Sequence, residues 1–260
     1  MIARESERGT RMTQRHVTID MTRRRRLLLT TDVHGEYRRL DETLQDMGFD
    51  PDLDVLVMLG DLIDRGPDSM SALEWIERRG VLRILGNHDT VPRMFLRRLI
   101  NRRTAVSWGG AWFVDLPEEQ LSKMGLRLED APTAMTVQTP GGRTIGLVHA
   151  DCHHDWNEHV RRLVDAWHEH HEHAVEKSLW RRDTIESLDE ARNSGMAPDQ
   201  EEFRITGVDH VFHGHTPHER AFAFGDRSWL DTGACYGGAL TVVDADEWLD
   251  DLGVHRFGTR

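Results

Sequence analysis

Four short segments carry residues able to do chemistry: Asp32-Val33-His34-Gly35, Gly60-Asp61-Leu62-Ile63-Asp64-Arg65-Gly66, Gly86-Asn87-His88-Asp89 and His213-Gly214-His215-Thr216. Each sets Asp, Asn or His at or just past the end of an apolar, β-branched run. Hard oxygen and imidazole ligands on short loops, held by a rigid sheet, are what a two-metal hydrolytic site needs. One Asp-x-His arises by chance, and Asp32 or Asp61 alone reads as a loop or cap residue. Together with His34, Asn87, His149 and His215 they point to metal, because two adjacent carboxylates repel unless a cation joins them. Asn87 would add a neutral carbonyl ligand and leave His88 free to donate a proton. Arg65 offers a planar fork suited to a phosphoryl group. Arg182 is a second such candidate, although alone it reads as a surface helix residue.

The elements that must position these residues follow from the hydrophobic pattern. Leu27–Thr31, Asp54–Leu59 and Val81–Leu85 read as buried strands. Helices are predicted over Glu36–Met47, from Pro67 to Arg79, and over Thr90–Asn101. This alternation means a mostly parallel sheet covered by helices, with ligands at the carboxyl ends of its strands. Farther on, Thr133–Gln138 and Arg143–Val148 flank Pro140-Gly141-Gly142 as a hairpin whose second strand delivers His149. Trp156–Arg182 carries one long amphipathic stripe. Asn193–Gln200 reads as a polar loop. Strands are predicted at His210–Phe212, Ala221–Phe224, Ser228–Leu230 and Ala239–Val243, with a last piece near Val254–Phe257. The count implies two sheets face to face with helices outside.

Length and charge bound the rest. The 260 residues carry a net charge of −12, yet residues 1–26 hold eight Arg against three acids, leaving −17 on the remainder. Residues 1–26 therefore read as a basic, disordered tail, and 27–257 as one catalytic domain. The acidic body argues against nucleic acid or an anionic membrane as partner. No stretch approaches the ~20 apolar residues of a membrane helix. Two cysteines, Cys152 and Cys235, make a disulfide framework improbable and a cytoplasmic location the expectation. The tract His153, His154, His159, His168, His170, His171 and His173 looks metal-binding. Its helical spacing reads instead as solvated and core histidines, with His171 on the inner stripe.

These segments resemble the calcineurin-like metallophosphoesterase superfamily. Gly60-Asp61-Leu62-Ile63-Asp64-Arg65-Gly66, Gly86-Asn87-His88-Asp89 and Gly214-His215-Thr216-Pro217 resemble its phosphoprotein phosphatase branch. Trp108-Gly109-Gly110-Ala111-Trp112-Phe113, Val148-His149-Ala150-Asp151, Leu179-Trp180-Arg181-Arg182 and Leu230-Asp231-Thr232-Gly233-Ala234 are similar to the bacterial and phage lambda-type serine/threonine phosphatases. The resemblance covers roughly residues 27–244. It implies an α/β sandwich of two mixed β-sheets flanked by helices, and hydrolysis of phosphoserine or phosphothreonine in proteins by a hydroxide bridging two divalent metals. Manganese is the usual metal, with iron or zinc in relatives. By position, Asp32, His34 and Asp61 match the ligands of the first metal, and Asp61, Asn87, His149 and His215 those of the second. Arg65 and Arg182 match phosphate-binding arginines, His88 the general acid and Asp64 its orienting partner. His213 matches no ligand.

A symmetrical dinucleoside tetraphosphate (Ap4A) hydrolase shares the site, and the segment from Leu230 to Gly238 resembles that group nearly as well. Those enzymes commonly lack an acid at the position of Asp64, so its presence favours the monoester phosphatase. A catalytically dead binding module would lack a ligand or the acid, and nothing is missing.

Overall fold

The computed structural model describes residues 14–165 and 172–253. In one sheet, β2 (Leu27–Thr30), β3 (Val55–Met58) and β4 (Val81–Arg83) run parallel, and β10 (Val242–Asp244) lies antiparallel on β2, in the order β10-β2-β3-β4. The other sheet has the order β1-β5-β6-β7-β9-β8, from β1 (His16–Asp20), β5 (Ala134–Gln138), β6 (Thr144–Val148), β7 (His210–His213), β8 (Phe222–Phe224) and β9 (Arg227–Trp229). Both sheets are mixed. Leu27 and Leu29 face the second sheet and pack with Met135, Val137, Ile145, Leu147 and Phe212. Leu28 and Leu56 face helices on the other side. Burial on both faces is why these strands read as unbroken apolar runs rather than alternations.

The helices follow local signals. In α1 (Tyr37–Asp46), Tyr37, Leu40 and Leu44 are buried on one face. The helix α3 spans Asn87–Leu96, three residues earlier than its apolar spacing predicts, because the Asp89 carboxylate reaches back to accept from Gly86 N at 2.9 Å. The helix predicted from Pro67 to Arg79 shrinks to a 3₁₀ turn, Ser69–Ser71, and α2 (Ala72–Trp75). Asp68 accepts from Ser71 N at 3.2 Å, and the Ser69 hydroxyl accepts from Asp64 N at 2.8 Å, so side chains compete with the helix ladder there. The stripe over Trp156–Arg182 divides into α6 (Trp156–Val164) and α7 (Glu172–Trp180). Helices α4 (Arg102–Ser107), α5 (Glu118–Glu129), α8 (Asp183–Asn193) and α9 (Ala245–Asp251) were not foreseen. His168, His170, His171 and Val254–Phe257 lie outside the described residues. Among those described, no helix is long and apolar enough to cross a membrane.

One sequence expectation is corrected. Residues 16–26 are not part of a tail. β1 pairs in parallel with β5 from His16↔Ala134 to Asp20↔Gln138, and its Val17 and Ile19 pack on the core between the sheets. Arg25 and Arg26 both bind Asp54, which is fully buried just before β3; Arg26 NH2 lies 2.7 Å from Oδ2 and Arg25 Nε 2.8 Å from Oδ1. The arginines anchor the entry to the sheet. The remainder of the basic segment, residues 1–13, lies outside the described residues.

Asp54 links stability to pH. Burial pushes its carboxyl up, but the bonds from Arg25, Arg26 and the Asp50 amide prevail and hold it well below the usual range. We expect Asp54→Asn to cost about 2 kcal/mol at pH 7, the scale of hydrogen bonds to a charged group. With the folded pKa below the unfolded value of about 3.9, the stabilisation is complete above the latter and is lost as pH falls toward the former. Urea midpoints of wild type and variant should therefore converge between pH 6 and pH 3. A gap that stays constant across that range would contradict this role.

Candidate metal centre

Three parallel strands from each sheet end at one place. Asp32 follows β2, Asp61 follows β3 and Asn87 follows β4; His149 follows β6, His215 follows β7 and Asp231 follows β9. Backbone hydrogen bonds tie these loops together: Asp32 N to Gly60 O at 3.1 Å, His34 N to Asp61 O at 2.9 Å, and Gly214 N to His149 O at 2.9 Å. Two glycines allow the close approach. A Cβ on Gly86 would sit 2.3 Å from Asp61 Oδ1, and one on Gly214 would sit 2.4 Å from Asp32 Oδ2. The backbone is strained here. Among the described residues seven non-glycines have left-handed φ, and six are Asp32, His34, Asp61, Asp64, Arg65 and His215. Such conformations gather where surrounding structure enforces them at functional sites.

The donors form two groups that share Asp61: His34, Asp61 and His88, and Asp61, His149 and His215, each with ligand atoms within 4.8 Å of one another. Asp61 Oδ2 is 3.5 Å from His34 Nε2, and its Oδ1 is 3.4 Å from His149 Nε2. The carboxylate thus turns one oxygen toward each group. Asn87 Oδ1 joins the second group, 2.9 Å from His149 Nε2 and 3.0 Å from His215 Nδ1. Asp32 stands beside the first, with Oδ1 3.9 Å from His34 Nε2, while its Oδ2 accepts from His215 N at 2.8 Å.

The imidazoles share one bonding pattern. His34 Nδ1 donates to Ile63 O at 2.6 Å, His149 Nδ1 to Leu59 O at 2.8 Å, and His215 Nε2 to Trp180 O at 3.2 Å. Each ring spends one N–H on a backbone carbonyl and presents the other nitrogen to the cluster. That outer bonding is what orients metal-ligating histidines. Carboxylate, amide and imidazole donors together suit a divalent first-row cation. His213 does not join them: its Nδ1 donates to Ala150 O at 2.9 Å and its ring stacks on Trp229.

Electrostatics point the same way. Asp32, Asp61, Asp89 and Asp231 are all buried. Burial and the Asp231 carboxylate push Asp32 well up, and burial together with Asp61 pushes Asp231 up to about 6. For Asp61 burial is outweighed by His149, His88 and His34, which hold it well below the carboxylate range. Burial pulls His149 down, but Asp61 and then Asp32 lift it to about 10, whereas burial lowers His34 and His215 to about 3. Two carboxylates thus hold a proton on His149 where a bound cation would supply the positive charge.

Beside this cluster, His88 Nδ1 donates to Asp64 Oδ2 at 2.8 Å. Trp112 Nε1 donates to the other Asp64 oxygen at 2.8 Å. Arg65 NH1 reaches His34 Nε2 at 2.8 Å. Arg182, between α7 and α8, reaches the loop after β7, with Nε 3.2 Å from Thr216 Oγ1 and NH2 3.4 Å from His215 O. Sequence reasoning missed Asp231, Asp89 and Trp112. Asp89 accepts from Gly86 N, Leu62 N and Asp61 N, clamping the loops after β3 and β4. Its signal was an acid three residues past Gly86 at a helix start. In the histidine tract, His159 is buried against the Ser178 hydroxyl at 3.2 Å, and His173 is exposed. Neither donor group found among the described residues lies in that tract.

Comparison with known proteins agrees with this geometry. Serine/threonine-protein phosphatase 1 of Salmonella typhimurium is 29% identical over 228 residues, covering 84% of this chain and 91% of that protein. The symmetrical bis(5'-nucleosyl)-tetraphosphatase of Photorhabdus laumondii is 44% identical over 63 residues, 24% of this chain and 23% of that protein. Among solved structures, a putative diadenosine tetraphosphatase shares the fold with a TM-score of 0.57 at 21% identity, covering 89% of this chain and 98% of that one. The calcineurin-like phosphoesterase family pattern matches residues 25–219, which span every residue of the cluster except Asp231. By that match the chain belongs to the calcineurin-like phosphoesterase family.

Proposed function

We propose that this hydrolase is a metal-dependent phosphomonoesterase acting on phosphoserine and phosphothreonine in proteins. The observation that carries the reading is the His88–Asp64 pair, 2.8 Å apart and set beside the donor cluster. Asp32, His34 and Asp61 would hold one divalent cation, and Asp61, Asn87, His149 and His215 a second, with manganese the first candidate. Cations bound there supply Lewis acidity, lowering the pKa of water and neutralising phosphoryl charge. Arg65 and Arg182 bind the phosphoryl oxygens from opposite sides, each as a planar fork. With Nδ1 tied to Asp64, His88 keeps Nε2 as the atom that gives its proton to the departing serine or threonine oxygen. Asp64 stabilises the imidazolium. Its two oxygens are fixed by His88 and Trp112, so the ring cannot swing away.

A second reading, hydrolysis of dinucleoside tetraphosphates, is favoured by the 63-residue match to a symmetrical tetraphosphatase. The leaving group there is a nucleoside diphosphate, whose phosphate oxygen needs the proton less than an alkoxide does, so such a substrate gives the His88–Asp64 pair less to do. Rates with manganese for a phosphoserine peptide, a phosphotyrosine peptide, a phosphohistidine protein and diadenosine tetraphosphate separate the two. The phosphoserine peptide should be the better substrate. Faster turnover of diadenosine tetraphosphate would select the second reading.

Two further outcomes are expected. First, Asp61→Asn should reduce bound manganese from two per chain to less than one after dialysis and lower activity by at least roughly 10²–10³-fold. His173→Ala, an exposed position, should retain both metal and rate. Because His149 holds a proton up to about pH 10, loading at pH 8 should release protons, and affinity should rise with pH. Calorimetry in buffers of different ionisation enthalpy reads this directly, and loading without proton release would contradict it.

Second, His88→Asn should slow a phosphoserine peptide by roughly 10²–10⁴-fold. It should slow p-nitrophenyl phosphate far less, since p-nitrophenolate scarcely needs a proton, and manganese content should not change. Asp64→Asn should show the same selectivity more weakly. Equal losses on both substrates would remove the acid role from His88.

A further inference from the structure

Outside the donor cluster, Asp151 is, like Asp54, a buried carboxylate with several partners. Asp151 is 2% exposed and lies two residues past His149. Its Oδ1 accepts from Cys152 N at 2.7 Å and from Thr184 Oγ1 at 2.8 Å. Its Oδ2 accepts from Lys177 Nζ at 3.0 Å and from Thr184 N at 3.1 Å. The guanidinium of Arg227, itself buried in β9, stands 3.7 Å away. Next to it the chain after β6 bonds directly to the end of α7, with Ala150 N on Ser178 O at 2.8 Å and Asp151 N on Lys177 O at 3.1 Å.

These partners bracket one corner. Lys177 is in the last turn of α7 and Thr184 in the first turn of α8, and Arg182 is the second of the two residues, Arg181 and Arg182, between the helices. The same corner supplies Trp180 O, which holds His215. Arg182 needs such help because its own contacts are weak. It reaches only neutral oxygens, at 3.2 and 3.4 Å, and among the described residues no carboxylate pairs with it. Its charge is therefore available to an anion, while its position must be set by the backbone that carries it.

We infer that Asp151 is a positioning residue: by gripping Thr184 and Lys177 on either side of Arg182, it fixes the α7–α8 corner and so sets the reach of the Arg182 guanidinium to a phosphoryl group. The inference rests on the reading of Arg182 as a phosphate ligand. A carboxylate suits the task because it accepts several bonds at once from both helices. Its charge is balanced by Lys177 and Arg227, so it does not compete for Arg182. A small misplacement of a charged fork can cost up to about 10²-fold in a rate.

The test is a double-mutant cycle read as affinity for inorganic phosphate by calorimetry on the manganese-loaded protein. Asp151→Asn should weaken phosphate binding by about tenfold and Thr184→Val, which removes only the hydroxyl donor, by a smaller factor. Manganese stoichiometry should not change. In an Arg182→Ala background neither should weaken binding further. Equal weakening in both backgrounds would overturn the inference, as would unchanged affinity in the single variants or loss of manganese along with phosphate. Should Asp151→Asn fail to fold, Thr184→Val decides by the same criterion. An Arg182→Ala protein that binds phosphate like wild type would overturn the phosphate role of Arg182 itself, an outcome distinct from additivity.

Discussion

Negative charge concentrated away from water is the constraint around which this molecule is arranged. Four carboxylates, Asp32, Asp61, Asp89 and Asp231, are buried where the two sheets end. Isolated ionised groups cannot persist in such surroundings; they pair, protonate or bind a cation. The first two responses are visible. Asp89 is bound by three backbone amides. Burial and mutual repulsion push Asp32 and Asp231 up toward the neutral form. Asp61 stays ionised among His149, His88 and His34. The pair of divalent cations proposed above would resolve the remaining repulsion and turn an electrostatic cost into a reactive site.

Holding such groups together requires a scaffold that does not yield. Parallel strands supply it, since each buries both faces and ends at the same edge. Backbone strain collects at that edge, in six left-handed non-glycine residues, and the hydrogen bonds between loops keep it there. The three ligand-type histidines are each fixed by a carbonyl from a different segment, Ile63, Leu59 and Trp180. The orientation of these donor rings is therefore set as much by peptide groups as by side chains. The His88–Asp64 pair, Arg65 and Arg182 stand around this cage, where the proposed reaction would need to meet a phosphoryl group and its leaving oxygen.

Much of this was legible in the sequence because the informative residues are local. Apolar runs that stop at Asp32, Asp61 and Asn87 announce strand ends, and Pro140-Gly141-Gly142 announces a hairpin. What was hidden depends on distant partners. β1 reads as part of a basic tail because its arginine-rich surroundings mask a five-residue strand that makes sense only beside β5. The pairing of Arg25 and Arg26 with the buried Asp54 bridges nearly thirty residues. Asp89 and Trp112 act through bonds to residues far along the chain, which no spacing rule reveals. The helix predicted from Pro67 shortened because Asp68 and Ser69 put their side chains to other uses.

The bridging role proposed for Asp61, between two cations at the meeting point of the sheets, is open to test by anomalous scattering from crystals of the manganese-loaded protein. Two peaks separated by ~3.5–4 Å are expected, each in contact with an oxygen of Asp61, with Asp32 and His34 on one side and Asn87, His149 and His215 on the other. A single peak under manganese-replete conditions, or two peaks of which only one touches Asp61, would contradict it.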